Sequence, residues 1–282
     1  MSVVAWPHEG IVPIELWDVR VDGKSLFERR AEPTFYASLA TAVLALRRGE
    51  AVRGNGGRLP ARPWSVVSMV GGALDESRAR DAFDAVGIAL DVLSDDAFFA
   101  TSHALEALIE DGALRGDAVV IDVGQTAIKA SGPGGRVRRQ RLIDSQFTTT
   151  LDISEPDNER TAFADEIAAA LADACPGRPP SFVLLGLPCE VERRGEDVFL
   201  GPSTYPTAGY AGALMRDVLR GAGCQTTPSA IVNDAVLAAW ALARRSPCRA
   251  AFQLVLTLGL GIGAALIDRK AADPVPGESS VA

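Results

Sequence analysis

Apolar runs of strand length alternate with segments whose apolar residues recur at helical spacing over most of the chain, which predicts an α/β fold of sheets covered by helices. AVVIDVGQTAIKA, residues 118–130, is an apolar run that breaks at Gly124 and resumes, the pattern of strand, tight turn and strand. GRVRRQRLI, residues 135–143, continues it as the third strand of a meander. A helix is predicted at 161–174, stopped by Pro176 and Gly177, followed by a buried strand, SFVLLGLP, at 181–188. A helix at 209–222 and the short strand SAIV lead into Asn233, Asp234 and an alanine-rich helix at 235–245. FQLVLTLGLGIGAALID, residues 252–268, reads as a strand pair split by its glycines. The first third offers strands at 11–21, in WSVVSMVGG and in IALDVL, with helices at 34–48, 76–86 and 95–110. A loop rich in Gly, Arg and Pro lies at 49–63.

Composition narrows the possible partners. A chain of 282 residues with 48% hydrophobic content can fill two lobes. The formal net charge of −8 provides no basic face for nucleic-acid phosphates, so small metabolites are the expected partners. Cys175, Cys189, Cys224 and Cys248 are widely spaced and form no CxxC pair, and the only histidines are His8 and His103. That pattern argues against a zinc knuckle or a disulfide framework and fits a reducing compartment. MSVVAWPHEG lacks the basic and apolar regions of a signal peptide, and no apolar run reaches the ~18 residues of a membrane span. A cytoplasmic protein away from membranes is the expectation.

Three segments carry candidate chemistry. Asp122, Gly124, Thr126 and Lys129 form D-x-G-x-T-x-x-K within the first hairpin. There a glycine lets backbone approach a phosphate, an aspartate can hold the water shell of Mg²⁺, and amides with Thr126 can meet phosphate oxygens. An ordinary hairpin with a polar tip explains the same residues. Gly259, Gly261 and Gly263 alternate in the second hairpin, where close backbone approach by a ligand or by another strand would account for them. Asn233 and Asp234 either cap the following helix or place a carboxylate beside a cleft to accept a hydroxyl proton.

In this order the segments resemble the ROK family of sugar kinases and repressors within the actin-like superfamily, particularly its glucokinase and polyphosphate-glucokinase-like members. The matching stretches are IDVGQTAIK, GLPCEVE, VNDAVLAA and LTLGLGIGAAL, within residues 118–268. The resemblance implies a two-lobed actin-like ATPase fold, ribonuclease H-like in each lobe, with ATP and Mg²⁺ in the cleft. It implies Asp234 as general base, Asn233, Gly186 and Pro188 at the substrate, and Asp122, Gly124, Gln125, Thr126, Lys129, Thr257, Gly259, Gly261 and Gly263 around the phosphates. Homodimers are frequent among such proteins.

Relatives of this kind begin at the first phosphate motif, whereas here 117 residues precede it. Those residues resemble the missing part: VVSMVGGAL is similar to the strand and turn that hold adenine, here Gly71 and Gly72, and DDAFFATSHALEALIEDG to the final helix. TFYASLATAV is similar to the helix after the substrate loop. The chain is therefore expected to be circularly permuted, with residues 1–117 and 246–282 as a large lobe, 118–245 as a small lobe, and 269–282 with 1–10 as a loop that is continuous in the relatives. His8 and Glu9 are approximate counterparts of the E-x-G-H substrate motif. Leu260 replaces a usual threonine and Gln125 a usual glycine, so a substrate other than glucose is expected.

The function these features imply is ATP-dependent phosphorylation of a hydroxyl on a hexose, amino sugar or cyclitol. A sugar or nucleotide sensor that kept the fold without the chemistry is the alternative. A filament-forming or chaperone-like ATPase is a third, against which VNDAVLAA argues.

Overall fold

The structure, a computed structural model, describes residues 3–5, 10–72, 74–94, 96–110, 117–124, 126–141, 156–195, 197–201, 209–245, 250–259 and 261–269. The strands are β1 (Val3–Ala5), β2 (Ile11–Pro13), β3 (Arg20–Val21), β4 (Lys24–Ser25), β5 (Val66–Val70), β6 (Leu90–Ser94), β7 (Val119–Val123), β8 (Ala127–Gly132), β9 (Gly135–Gln140), β10 (Val183–Leu187), β11 (Val191–Arg194), β12 (Asp197–Leu200), β13 (Gly209–Tyr210), β14 (Ser229–Asn233), β15 (Phe252–Leu258) and β16 (Ile262–Asp268). The helices are α1 (Phe35–Arg48), α2 (Glu76–Asp84), α3 (Phe99–Glu110), α4 (Pro156–Ala174), α5 (Ala211–Gly221) and α6 (Asp234–Arg245).

Two larger sheets share one plan. In the first, β7, β8 and β9 form an antiparallel meander, β10 lies parallel to β7, and β14 lies parallel to β10. In the second, β15, β16 and β2 form the meander, β5 lies parallel to β15, and β6 parallel to β5. The second meander thus takes two strands from the end of the chain and one from its beginning.

The central strands are apolar along most of their length because helices cover both faces of each sheet, while β9 at the edge, GRVRRQ, is largely exposed. Val119, Ile121 and Val123 of β7 face α4 and α5, while Val120 faces the opposite way, toward the layer of α3 and α6. In β15, Leu254, Leu256 and Leu258 face α1 and α2, while Val255 faces the same inner layer. The period of two along each strand therefore sorts residues into five layers: α4 and α5, the first sheet, α3 and α6, the second sheet, α1 and α2.

The inner helices cross over. α6 follows β14 of the first sheet yet packs on β15, β16 and β2, and α3 follows β6 of the second sheet yet packs on β7 and β8. Sandwiched in this way, α6 buries eight consecutive residues from Ala235 to Leu242. Its alanines let two sheets approach it closely, and Val236, Leu237, Trp240 and Leu242 each contribute about 1.5–3 kcal/mol by burial.

Several expectations from sequence shift. The run at 11–21 is two short strands, because Pro13 lacks the N–H to extend pairing and a turn follows. α4 begins at Pro156, before the expected 161, with proline in the first helical position where its missing N–H is harmless. Residues 1–117 do not all join the second sheet: Val3–Ala5 pairs in parallel with Ser229–Ile231 at the edge of the first. The three-stranded flap β11–β12–β13 beside it is a further element that the sequence pattern does not announce.

Candidate functional site

Strand register brings the candidate residues to one edge. Gly186 of β10 pairs with Asp122 of β7 on one side and Val232 of β14 on the other, and Leu187 pairs with Asn233. Asp122, Leu187 and Asn233 therefore lie together at the carboxyl ends of three parallel strands, the edge at which open α/β sheets leave a crevice. Asp122 alternates with Ile121 and Val123, so its side chain faces the inner layer, where the first turn of α6 begins.

Asn233 and Asp234 divide the two roles that the sequence left open. The Asn233 side-chain oxygen accepts from the N–H groups of Ala235 at 3.0 Å and Val236 at 3.2 Å, and its amide donates to the Cys189 carbonyl at 2.9 Å. Asn233 is thus the helix cap, tied across to the turn after β10, which accounts for its amide without a sugar hydroxyl. Replacing it by alanine is expected to lower stability by about 1–2 kcal/mol in urea unfolding. A residue whose main task was gripping substrate would instead raise an acceptor KM while leaving stability unchanged.

With the cap supplied, Asp234 keeps one carboxylate oxygen on the Ala235 N–H at 2.7 Å and its side chain stands partly exposed in a densely packed recess. Burial, followed by repulsion from the Asp122 carboxylate, pushes the Asp234 carboxyl up to about 7, against the opposing pull of the Ala235 N–H and the Lys129 ammonium. A carboxyl held near neutrality is suited to exchanging protons at cellular pH.

Lys129 is half-buried and donates to Asp122 at 2.6 Å, since the two residues face each other across β7 and β8. In the turn between them, the Gly124 N–H donates to the Ala127 carbonyl at 3.0 Å, and a Cβ at Gly124 would stand 3.0 Å from that same oxygen. Thr126 is exposed, and its carbonyl accepts from the Arg141 N–H at 2.9 Å.

The second glycine hairpin meets the same helix from the other sheet. Thr257 of β15 pairs with Gly263 of β16, and both alternate with residues that face α1 and α2, so they face the inner layer. A Cβ at Gly263 would lie 2.2 Å from the Thr257 hydroxyl oxygen and 3.0 Å from the Ala235 Cβ, so the hairpin presses on the residue next to Asp234. Gly259 closes its turn by donating from N–H to the Gly261 carbonyl at 3.2 Å, and a Cβ there would meet nothing within 4 Å. The exposed, open face of Gly259 leaves room for a ligand.

Other candidates are explained by packing. Gly186 is buried in β10, where a Cβ would stand 2.8 Å from Leu237 of α6, so its smallness seats the helix and gives it no route to a substrate. Gly71, at the end of β5, is pressed against the Leu258 backbone, whereas Gly72 is exposed. Both lie beside the second glycine hairpin because β5 pairs with β15. Pro188 is half-buried next to Cys189. His8, Glu9, Gln125 and Leu260 lie outside the described residues.

Arg30 enters the site without any motif to flag it. From the segment before α1 its guanidinium donates to the Gly259 carbonyl at 2.8 Å, across 229 residues of sequence.

Among the described residues no group of three or more His, Cys, Asp or Glu side chains could hold a metal ion, and no helix is long and apolar enough to cross a membrane. One carboxylate at a strand end is nevertheless what a hydrated Mg²⁺ carried in on phosphates requires, and Asp122 fits that part. No protein-family model matches the chain, and no curated protein matches it.

Proposed function

We propose that the chain is a phosphotransferase that moves the γ-phosphoryl group of ATP to a hydroxyl of a sugar or sugar-like small molecule, a hexose, amino sugar or cyclitol. The observation that carries this reading is the position of Asp234: its carboxyl interacts with Asp122 of one glycine-broken hairpin, and its neighbour Ala235 touches Gly263 of the other. Two such turns meeting at one half-buried carboxylate are the arrangement needed to hold a polyphosphate on both sides while a base faces the incoming alcohol.

In this reading the fold is the two-lobed actin-like one, circularly permuted. Its support is the shared plan of the two sheets, the exchange of α3 and α6 between them, and a second meander drawn from both ends of the chain. The lobes are 118–245 and 1–117 with 246–282, with β1 crossing to the former.

Asp234 accepts the proton of the acceptor hydroxyl as oxygen attacks phosphorus, and the bond to the leaving diphosphate breaks. Asp122 would hold the water shell of Mg²⁺, which neutralises charge on the donor phosphates when bound. Lys129, now paired with Asp122, lies close enough to Gly124 to meet a phosphate there. The open backbone at Gly259 receives the donor from the other side. Water is the competing acceptor, and closing the cleft over the sugar excludes it.

The test is turnover. The purified protein with Mg²⁺ is offered ATP or inorganic polyphosphate together with hexoses, amino sugars and cyclitols, and phosphorylated product is measured. Transfer to one acceptor class is the expected result. Calorimetric binding of ATP and sugar with no product from any pair would reject the kinase in favour of a sensor on the same fold.

A further inference from the structure

We propose that Arg30 is a positioning residue for the phosphoryl donor, fixing the Gly259 turn and placing positive charge beside it. The inference rests on the kinase reading and assigns to it a residue outside every motif in the chain.

The Gly259 backbone is held at both polar groups. Its N–H donates to the Gly261 carbonyl at 3.2 Å and its carbonyl accepts from Arg30 at 2.8 Å. A glycine with both groups engaged cannot swing its peptide freely, although nothing packs against the position a Cβ would take. Gly259 is thereby fixed in backbone and open in front, as a phosphate-binding glycine must be to avoid reordering at each turnover.

Arg30 is itself held in place. Its guanidinium stacks over the Phe35 ring at 4.5 Å, at the first residue of α1, and burial lowers its proton affinity from the usual arginine value. With Phe35, Tyr36, Glu32 and Arg78 it lines a hollow of about 320 Å³. The Tyr36 hydroxyl accepts from the Asp75 N–H at 2.7 Å, and Asp75 caps α2 through the Arg78 N–H. The starts of α1 and α2 are thereby pinned around the hollow. A cation in such partly desolvated surroundings attracts phosphate more strongly than a surface arginine does. The planar guanidinium fixes the direction of its hydrogen bond to the carbonyl, which the flexible ammonium of a lysine does less well.

The experiment compares wild type, Arg30→Gln and Arg30→Lys by calorimetric titration with Mg²⁺-ATP and with inorganic polyphosphate, and by steady-state kinetics on the acceptor found above. Arg30→Gln is expected to weaken donor binding about tenfold and Arg30→Lys about threefold, with kcat and the acceptor KM held within about twofold. Unfolding midpoints without donor check the alternative of a merely structural arginine, which would lower the midpoint and leave donor affinity of the folded protein alone. Wild type binding donor while both variants bind it equally well would remove Arg30 from this role and leave the kinase reading standing. No donor binding by wild type would sink the kinase reading and this inference together. Should Arg30→Gln fail to fold, the Arg30→Lys titration decides the matter alone.

Discussion

Asp234→Asn is expected to lower kcat by about 10²–10⁴-fold while leaving the fold and donor affinity intact. Asparagine keeps the volume of the side chain and an oxygen to accept from the Ala235 N–H, the hydrogen bond by which Asp234 meets the head of α6. The cap itself remains with Asn233. What the substitution removes is the ability to take a proton. Asp122→Asn would also reduce activity, but through donor binding, so the two variants separate in kcat against donor KM. Wild-type turnover in Asp234→Asn would dismiss this carboxylate as the base and with it the proposed chemistry.

The same carboxylate sets an expected pH dependence. A base must be ionised, so kcat should fall as pH drops through about 7 and level off above it. Stability runs the other way. The folded-state value near 7 stands above the ordinary 3.8, so the folded protein holds that proton more tightly than the unfolded chain. The stabilisation is complete below 3.8 and is lost as pH rises through about 7. Asp234→Asn should therefore be more stable than wild type at pH 8, with the advantage vanishing in acid. A site that is more stable without its charged group is common where chemistry rather than folding sets the residue.

Much of this arrangement is legible in the sequence, for reasons that differ along the chain. The hairpins at Gly124 and at 259–263 are visible because glycines interrupt apolar runs of strand length there. The alanine-rich stretch after Asp234 announces a helix, but its place between two sheets shows only when residues from Ala235 to Leu242 are all found buried. Gly186 illustrates the limit of local reading: its absence of a side chain serves Leu237, which lies beyond the next strand of the same sheet. Asn233 and Asp234 could not be assigned separately from sequence, because both residue types cap helices and only coordinates say which one does. Arg30 was beyond reach altogether, since its partner carbonyl is 229 residues away and a backbone oxygen leaves no mark in a sequence. β1 is hidden for a similar reason, three residues being too few for a period to show.

Gly71→Ala is expected to be the most damaging single-methyl change in the described residues beside the second hairpin, and Gly72→Ala almost silent. Gly71 has φ +138°, a region that side chains rarely enter, and a Cβ there would lie 2.0 Å from the Leu258 carbonyl oxygen and 2.7 Å from its carbon. Neither atom belongs to a flexible side chain, so relief requires the ends of β5 and β15 to part. That displacement opens the pairing of Val70 with Thr257 and shifts Leu258, whose side chain is buried against α1 and α2. A cost of about 3 kcal/mol or more follows from strain and lost pairing together, or roughly 6–12 °C in the unfolding midpoint of a protein this size. The residue after Leu258 is Gly259, so donor affinity should fall in whatever fraction remains folded. At Gly72 the nearest atom to a new Cβ is that of Ala97 at 3.6 Å, an ordinary contact, and the expected shift is within about 0.5 kcal/mol. Thermal unfolding of the two variants side by side checks the close approach of the strand ends: equal midpoints would mean that β5 and β15 do not meet there as described, and the donor side of the site would lose its frame.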